Sequence, residues 1–400
     1  MHIAIVNSEY PSPSGSDQGG IASYSYTLAN TLASQGHKIE MLLREGTNSE
    51  ILHDSVAIHY YKSKTPRRLI RLLRSQNDGV TNWEMGCSLY VCDLLLKIHH
   101  EDHIDIVEFP DYGGLAFACK PSLPFPVVIN FHMPSEIVDK INLTEFKRPR
   151  KSFHKFERKA IANAQGFRCP SMALKSEICK LYALRPSDIF IIRNPVSTLH
   201  FDHINKKIKE NRFDLLFTGR LERRKGAEVL IKALPSILQL DNCIHFTLAG
   251  NSEPGGIRCY RETLERSLTT EQRARVCLSG PLKREDLPAL YCRSSVFLFP
   301  SIFENAPYSL LEAMAAHLPV LASNSSGINE IIRHNESGLL FKPQDPEDLI
   351  EKVKYALTNY QHCCTMAQNA YEYLKQHHDP QKIGAQTLEF YQKVIAGHSH

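Results

Sequence analysis

Three features are missing from this sequence, and each absence argues against a class of protein. No run of about 18 apolar residues occurs, so we expect no transmembrane helix. The eleven cysteines form no Cys-x-x-Cys pair, which argues against a zinc ribbon or a thiol redox motif. No Asp-x-Asp occurs either, so the sequence lacks the clustered carboxylates that are typical of a divalent-metal site.

The composition is that of a globular protein. Hydrophobic residues make up 42% and charged residues 22% of the 400 positions, and this length suits two domains. The net charge of +4 is too small to indicate a nucleic-acid partner, but it is compatible with anionic substrates such as phosphates. We interpret the cysteines, including Cys169 and Cys277 in apolar runs, as small buried thiols in a reducing compartment. The N-terminus reads as a buried strand and not as a signal peptide, so we expect a cytoplasmic protein.

Short β-branched runs alternate with longer helical patterns, which indicates parallel α/β units. The sequence predicts two Rossmann-like doubly wound domains, 1–195 and 212–378, that face each other across a cleft. A polar, lysine-rich stretch suits a linker at 195–211, and a tail helix near 379–395 can pack back on the first domain. The predicted strands are 2–7, 37–43, 104–109, 126–130, 165–169 and 189–192 in the first half, and 213–217, 244–249, 275–279, 295–299 and 319–322 in the second.

A basic loop, Gly219–Gly226, follows the first strand of the second half and opens a helix. In open α/β sheets, ligands bind beyond the carboxyl ends of the strands. Arg220 offers a planar fork of donors and Lys225 a point charge, and both suit a diphosphate. The alternative interpretation is an ordinary solvated loop.

A second motif runs from Pro300 to Ala316, directly after a buried strand. Pro307 fits the first turn of a helix, so the amides of Tyr308 and Ser309 are placed to bind an anion. Glu304 and Glu312 carry carboxylates that accept hydrogen bonds from vicinal hydroxyls, as in a sugar or a ribose. For Glu312 the alternative is an exposed helix residue, although its neighbours are apolar.

Two weaker motifs lie in the first half. The glycine-rich segment 15–21 leads into a helix and can admit a phosphate or a substrate, but Gly19 and Gly20 equally suit a flexible turn. His132 follows the strand 126–130, where a ligand-contacting residue is expected, although a lone histidine is more often structural.

Taken in this order, the motifs resemble those of glycosyltransferase family 4, which has the GT-B fold. The similarity covers most of the chain and is densest between 213 and 345, ending in Gly338-Leu339-Leu340. The sequence departs from the family in three places: Pro307 stands where a glycine is frequent, Ser325-Ser326-Gly327 replaces a Gly-Gly, and Ser197-Thr198 lacks a frequent Asp.

The resemblance implies a retaining, metal-independent transfer of a hexose-type sugar from a nucleotide-diphospho-sugar to a saccharide or lipid-linked acceptor, in polysaccharide, glycolipid or glycoconjugate biosynthesis. Arg220 and Lys225 would bind the diphosphate, Glu312 the ribose and Glu304 the donor sugar. The remaining donor-site residues would be Gly19, Gly20, Ala306, Tyr308 and Ser309. His132 would lie near the reacting carbon. No cofactor and no nucleic acid are expected.

Other interpretations stay open at this point. The same scaffold serves sugar-nucleotide epimerases and phosphorylases, and a non-catalytic nucleotide-sugar-binding subunit would share the donor motifs. The basic stretches 62–74 and 147–159 suit either peripheral contact with an anionic membrane or solvated helix faces. The donor base and sugar, the acceptor and the oligomeric state cannot be read from the sequence.

Overall fold

The structure is a computed structural model. It describes residues 1–10, 19–44, 49–53, 55–62, 79–143, 148–202, 211–250 and 260–398. The chain divides into two compact units: Met1–Pro195 together with Pro380–His400, and Val196–Asp379. None of the helices in the described ranges has both the length and the apolar composition of a membrane-spanning segment.

The first unit contains an eight-stranded sheet within the described residues, in the order β3-β4-β2-β1-β5-β6-β7-β8. Neighbouring strands are parallel except for the pair β3 and β4 at one edge, which is antiparallel. The strands are β1 (His2–Asn7), β2 (Lys38–Arg44), β3 (Ser49–His53), β4 (Val56–Tyr61), β5 (Ile106–Pro110), β6 (Val127–Asn130), β7 (Gly166–Cys169) and β8 (Ile189–Ile191). The helices are α1 (Gly20–Ser34), α2 (Gly79–Glu101), α3 (Ser135–Ile141), α4 (Arg148–Ile161) and α5 (Met172–Tyr182).

The central strands of this sheet are buried on both faces, as continuous apolar runs predict. All six residues of β1 and all five of β5 are buried. Strands β3 and β4 were not predicted, because β3 carries polar residues such as Glu50 and His53 and is partly exposed. Polar, short edge strands of this kind protect a sheet from pairing with other chains, and they lack the apolar pattern that identifies a central strand.

The second unit contains a six-stranded, all-parallel sheet within the described residues, in the order β11-β10-β9-β12-β13-β14. Its strands are β9 (Phe213–Thr218), β10 (Ile244–Ala249), β11 (Val276–Gly280), β12 (Val296–Phe299), β13 (Val320–Ser323) and β14 (Leu339–Phe341). Its helices are α6 (Leu199–Asp202), α7 (Ala227–Leu240), α8 (Tyr260–Ser267), α9 (Thr270–Arg273), α10 (Leu287–Arg293), α11 (Tyr308–Ala315), α12 (Pro346–Thr358) and α13 (Tyr360–His377).

Helix α7 and the strands beneath it form the core of the second unit, with Leu230, Leu234 and Phe246 fully buried. Strand β14 is additional to the strands that the sequence predicted. The interpretation of Cys277 as a buried thiol is wrong: Cys277 is exposed because β11 lies at the sheet edge. The other cysteines of the described residues are also free thiols, and Cys169 is buried.

The last helix, α14 (Pro380–His398), belongs to the first unit. It packs against α1, where the side chain of Gln35 donates to the backbone and side chain of Gln381. Deeper in this contact, the Tyr391 hydroxyl donates to Glu108 Oε2 over 2.7 Å. Residues after the second unit thus complete the core of the first.

In both sheets, the strand order reverses direction at one point. The reversal lies between β1 and β5 in the first unit and between β9 and β12 in the second. At such a point the loops beyond the carboxyl ends of two adjacent strands leave on opposite faces, and a crevice opens where ligands bind in α/β proteins.

Candidate functional site

The loop that follows β9 carries the basic motif of the second unit. It begins at Gly219, whose amide donates to Ala249 O at the end of β10 over 2.9 Å. Arg220 is next and is exposed, two positions after the carboxyl end of β9. The chain then makes a short 3-10 turn over Arg223–Lys225 and enters α7 at Gly226.

The loop that follows β12 packs directly on this basic loop. The Ile302 amide donates to Arg224 O over 2.8 Å. Gly226, with φ +80°, lies against Pro300, and a Cβ at position 226 would come within 2.1 Å of Pro300 O. The two loops therefore form one structure, and only glycine fits at the contact.

Glu304, in the loop that follows β12, contacts the basic loop and is only 4% exposed. Its Oε1 lies 2.5 Å from Lys225 Nζ and 2.8 Å from Arg224 Nη1. Arg224 is buried too, and its Nη2 donates to Glu222 Oε1 over 2.9 Å. The pairs of Glu304 with Lys225 and with Arg224 hold the basic loop and the Glu304 loop in a fixed relation.

The charges of this cluster depend on one another. Burial opposes ionisation of Glu304, but Arg224 and Lys225 outweigh it and hold the pKa of the carboxyl below its usual value. Burial lowers the pKa of Lys225, while Glu304 acts in the opposite direction. Removing any one partner would leave the others buried with incomplete pairing.

The segment after β13 packs against the Glu304 loop. The hydroxyls of Ser323 and Ser325 both donate to Ser301 O, the latter over 3.0 Å. Gly327, with φ +84°, lies so close that a Cβ there would come within 1.9 Å of Glu304 O. The sequence departs from the family at 325–327, yet it keeps a glycine where the backbone contact requires one.

Helix α11 begins just after Glu304, with Pro307 as its N-cap. The Ala306 amide donates to Asn305 Oδ1 over 2.7 Å. The first intrahelical bonds run from Leu310 and Leu311 to Pro307 O. The amides of Tyr308 and Ser309 therefore lie at the positive end of the helix dipole, a position that favours anions.

Glu312 lies on the second turn of α11 and is half-buried. The Tyr291 hydroxyl donates to its Oε2 over 3.1 Å and also lies 2.7 Å from Thr218 Oγ1 at the end of β9. Burial raises the pKa of Glu312 to about 7, although Arg284 and the Tyr291 hydrogen bond act against it. Glu312 can thus exchange a proton near neutral pH.

A pocket of about 230 Å³ lies beside these loops, at the carboxyl ends of β9, β10 and β11. Its lining is mostly apolar: Leu221, Leu248 and Leu278 lie around Gly250, which follows β10, and Gly280, which ends β11, and Arg261 of α8 is the one charged lining residue. Apolar walls next to a cationic loop suit a flat ring that is linked to an anionic group.

In the first unit, His132 follows β6 and is half-buried. Its amide donates to Asp111 Oδ1 over 3.1 Å, and its ring lies edge-on against Tyr24 with centroids 4.9 Å apart. Burial, aided by Arg168, lowers the pKa of His132 to about 3. The neutral ring accepts from Asn130 Nδ2 through Nε2 over 3.4 Å.

Gly19 and Gly20 lie at the start of α1, with Gly19 as the N-cap, and both are exposed. The Glu9 carboxylate lies against Gly19, since a Cβ there would come within 2.2 Å of Glu9 Oε2. Residues 15–18 of the same motif lie outside the described residues.

The structure brings together several of the residues that the sequence singled out. Lys225 and Glu304 are in contact, and Ala306, Tyr308, Ser309 and Glu312 continue from the same loop into the same helix. Sequence reasoning missed Arg224 and Tyr291. The Arg223-Arg224-Lys225 run signals positive charge, but nothing in it distinguishes the buried arginine from the half-buried one beside it. In the described part of the chain, no group of three or more His, Cys, Asp or Glu is placed to hold a metal ion.

Two family models match successive parts of the chain. The one described as Glycosyltransferase Family 4 matches residues 18–199, and the one described as Glycosyl transferases group 1 matches residues 200–373. Over almost its whole length, the chain is similar to an uncharacterized glycosyltransferase of Methanocaldococcus jannaschii, with 25% identity across 98% of both chains.

Solved structures show the same fold. Sucrose-phosphate synthase from Thermosynechococcus elongatus matches with a TM-score of 0.81 and 20% identity, covering 99% of this chain and 100% of that one. The Anabaena protein HepE, in complex with UDP and glucose, matches with a TM-score of 0.73 and 17% identity, covering 97% and 98%.

Proposed function

The chain belongs to glycosyltransferase family 4 and has the GT-B fold, and from this we propose that it moves a hexose-type sugar from a nucleoside-diphosphate sugar to an acceptor hydroxyl, with retention at the anomeric carbon. One observation carries the proposal. Beyond the switch point of the second sheet, a buried carboxylate, Glu304, contacts Lys225, and a helix N-terminus follows directly.

Each part of a nucleoside-diphosphate sugar has a matching partner at this edge. The base would enter the apolar pocket beside β10, and the ribose hydroxyls would donate to Glu312. The diphosphate would meet Arg220, Lys225 and the amides of Tyr308 and Ser309. Glu304, with Ala306 next to it, would hold the hydroxyls of the donor sugar.

Cleavage of the glycosidic bond puts negative charge on the leaving diphosphate oxygen. Fixed cations at that position lower the barrier because they meet charge that develops only in the transition state. In the first unit, His132 would serve as a neutral hydrogen-bonding group toward the transferred sugar, since its pKa of about 3 keeps it uncharged at working pH. We assign Gly19 and Gly20 to close backbone approach to the substrate.

A donor panel tests the function directly. Purified protein is incubated with UDP-, ADP- and GDP-sugars, with and without saccharide acceptors, and the nucleoside diphosphate and the product anomer are followed by NMR. We expect release of one nucleoside diphosphate, and a new glycosidic bond with the same anomeric configuration as the donor. A new sugar nucleotide without any acceptor would indicate an epimerase, phosphate-dependent sugar phosphate would indicate a phosphorylase, and donor binding without turnover would indicate a binding subunit.

We also propose that the transfer needs no divalent metal, because cationic side chains and helix amides serve the diphosphate. Turnover with the preferred donor should therefore stay within about twofold of the untreated rate when the protein is dialysed against EDTA. Loss of activity with EDTA and its recovery with Mg²⁺ or Mn²⁺ would contradict this part of the proposal.

A lipid-linked acceptor would bring the protein to a membrane, and for this case we propose the basic stretch 62–74 as the contact. Residues 63–74 lie outside the described residues. In the second stretch, Arg158 pairs with Glu136 over 2.6 Å, and Arg150 and His154 both pair with Asp139, so these charges serve packing of α4 on α3. Co-sedimentation with anionic liposomes at low and high salt tests the proposal, and absence of binding at both would exclude it.

A further inference from the structure

The neutral ring of His132 carries one hydrogen, on either Nδ1 or Nε2. Burial, with a smaller contribution from Arg168, lowers the pKa of this histidine to about 3 and keeps the ring uncharged at working pH. The rings of Tyr24 and Tyr112 lie beside it, with centroids 4.9 and 6.5 Å away. The position of the hydrogen decides which edge of the ring donates a hydrogen bond and which edge accepts one.

Three neighbouring strands bring polar side chains to one face of the first sheet. Glu108 of β5 is aligned with Val128 of β6, and Asn130 is two residues further along β6, on the same face. Arg168 of β7 is paired with Asn130. Glu108, Asn130 and Arg168 are at most 4% exposed, so their hydrogen-bonding groups need partners within the protein.

Glu108 accepts hydrogen bonds on both of its carboxylate oxygens. Its Oε1 accepts from the Tyr24 hydroxyl over 2.8 Å and from Asn130 Nδ2 over 3.3 Å. Its Oε2 accepts from the Tyr391 hydroxyl over 2.7 Å and lies 3.3 Å from Arg168 Nε. Because a carboxylate has no hydrogen to give, each group that bonds to it must be a donor.

This requirement fixes the orientation of the Asn130 amide. The two ends of the amide, an NH₂ group and a carbonyl oxygen, have nearly the same shape, but the Glu108 carboxylate would repel the oxygen. The NH₂ group therefore faces Glu108, and the same nitrogen lies 3.4 Å from Nε2 of His132. Since an NH₂ nitrogen can only donate, Nε2 is an acceptor and the ring hydrogen lies on Nδ1.

We propose that Asn130 and Glu108 are positioning residues for His132, and that together they hold its ring in the tautomer with the hydrogen on Nδ1. The ring then offers an N–H donor to an oxygen of the substrate, and Nε2 is already hydrogen-bonded and does not serve as a base. In the other tautomer, Nδ1 would carry no hydrogen and could only accept. The role of Nδ1 toward a substrate rests on the proposed transfer function, whereas the tautomer is a property of the free protein.

The tautomer can be measured in the full-length protein without any substrate. Protein labelled with ¹⁵N in its histidines gives long-range ¹H–¹⁵N correlations that show which ring nitrogen carries the hydrogen. The signals of His132 are identified by their absence in His132→Gln. We expect the wild type to hold the hydrogen on Nδ1. A wild-type ring with the hydrogen on Nε2, or with both tautomers equally populated, would overturn the proposal.

Two variants distinguish the Asn130 amide from the packing around it. Asn130→Leu keeps a similar volume but removes the donor, so we expect the tautomer with the hydrogen on Nε2 to appear. Tyr24→Phe is the matched control: it keeps the ring beside His132 and removes a different donor to Glu108, so Nδ1 should keep its hydrogen. The same tautomer in both variants, whichever it is, would show that the Asn130 amide does not set it.

A kinetic comparison connects the tautomer to the transfer reaction. With the preferred donor, Asn130→Leu should lower kcat about tenfold, the effect of losing one hydrogen bond in the transition state, and leave the KM for the donor within about twofold. An unchanged kcat would overturn the positioning role. A protein that holds the hydrogen on Nδ1 but releases no nucleotide from any donor would contradict the transferase and support the tautomer.

Discussion

At the residue scale, the site of the second unit is organised by charges that are buried together. Glu304 is paired with both Arg224 and Lys225, so a loss of Lys225 leaves the carboxylate with one cation and the loop still held. A loss of Arg224 would instead leave Glu222 and Glu304 without the guanidinium that joins them. Lys225 is therefore the residue whose function can be removed with least damage to the fold.

Glu312 should make nucleotide binding depend on pH. Its pKa of about 7 means that the free protein holds a proton there below neutral pH, whereas a carboxylate that accepts from ribose hydroxyls must be ionised. Binding then releases a proton. The affinity for the preferred nucleoside diphosphate should fall about tenfold from pH 8 to pH 6.

The pH dependence of nucleotide affinity in Glu312→Gln is the comparison. The nucleotide's own phosphate titrates in the same way with both proteins, so a difference between their curves comes from Glu312. Calorimetric titrations across this pH range should show weaker binding by the glutamine variant and a flatter dependence on pH. Parallel curves for the two proteins would show that Glu312 does not change its protonation on binding.

At the element scale, the site depends on loops that pack backbone against backbone. The basic loop contacts the Glu304 loop through Gly226, and the Glu304 loop contacts the segment after β13 through Gly327. These contacts fix where the carboxylate lies before any substrate binds, and such preorganisation is what electrostatic catalysis needs.

Gly327→Ala should be markedly destabilising. The position combines φ +84° with a Cβ that would come within 1.9 Å of Glu304 O, so the loop must shift. Gly280→Ala is the matched control for stability: its φ is +70°, but nothing lies within 4 Å of the added Cβ. Backbone strain alone costs about 1–2 kcal/mol, so the control should lose a few degrees of Tm.

In differential scanning calorimetry, Gly327→Ala should lose roughly twice as much Tm as Gly280→Ala or more, together with most of its nucleotide affinity. Equal shifts in Tm for the two variants would mean that the backbone contact with Glu304 adds nothing to stability.

Local motifs and long-range burial differ in how far the sequence reveals them. The segments after β9 and β12 could be predicted because each is a continuous stretch that follows a strand. Burial of Arg224 could not, since it depends on a loop about 80 positions away along the chain. Strand β3 was missed for the related reason that an exposed edge strand has no apolar pattern.

At the scale of the whole molecule, the chain returns to its first unit to finish it. Glu108 and Arg168 are buried in that unit and lie 3.3 Å apart. Helix α14 supplies partners to both: Tyr391 donates to Glu108, and the Thr387 hydroxyl accepts from Arg168 over 2.8 Å. A sequence pattern predicts the helix at 379–395, but these partners emerge only from the structure.

Removal of residues 380–400 should therefore destabilise the first unit selectively. It leaves two buried charges with fewer hydrogen bonds and exposes the apolar surface that Phe390 and Ile383 cover. We expect the calorimetric transition of the first unit to fall by roughly 10 °C or more, while the transition of the second unit stays in place.

Removal of Ser399 and His400 alone is the control for this truncation and should leave both transitions unchanged. A protein that lacks 380–400 and keeps the wild-type melting profile would show that the first unit does not depend on the helix.

The proposed function depends most on Lys225 as a cation that binds a nucleoside diphosphate. Isothermal titration of UDP, ADP and GDP should show that the wild type binds one of them. The affinity of Lys225→Ala for that nucleotide should be lower by about tenfold or more. Lys232→Ala, an exposed lysine on α7, should bind as the wild type does. Wild-type affinity in a folded Lys225→Ala protein would contradict the central claim.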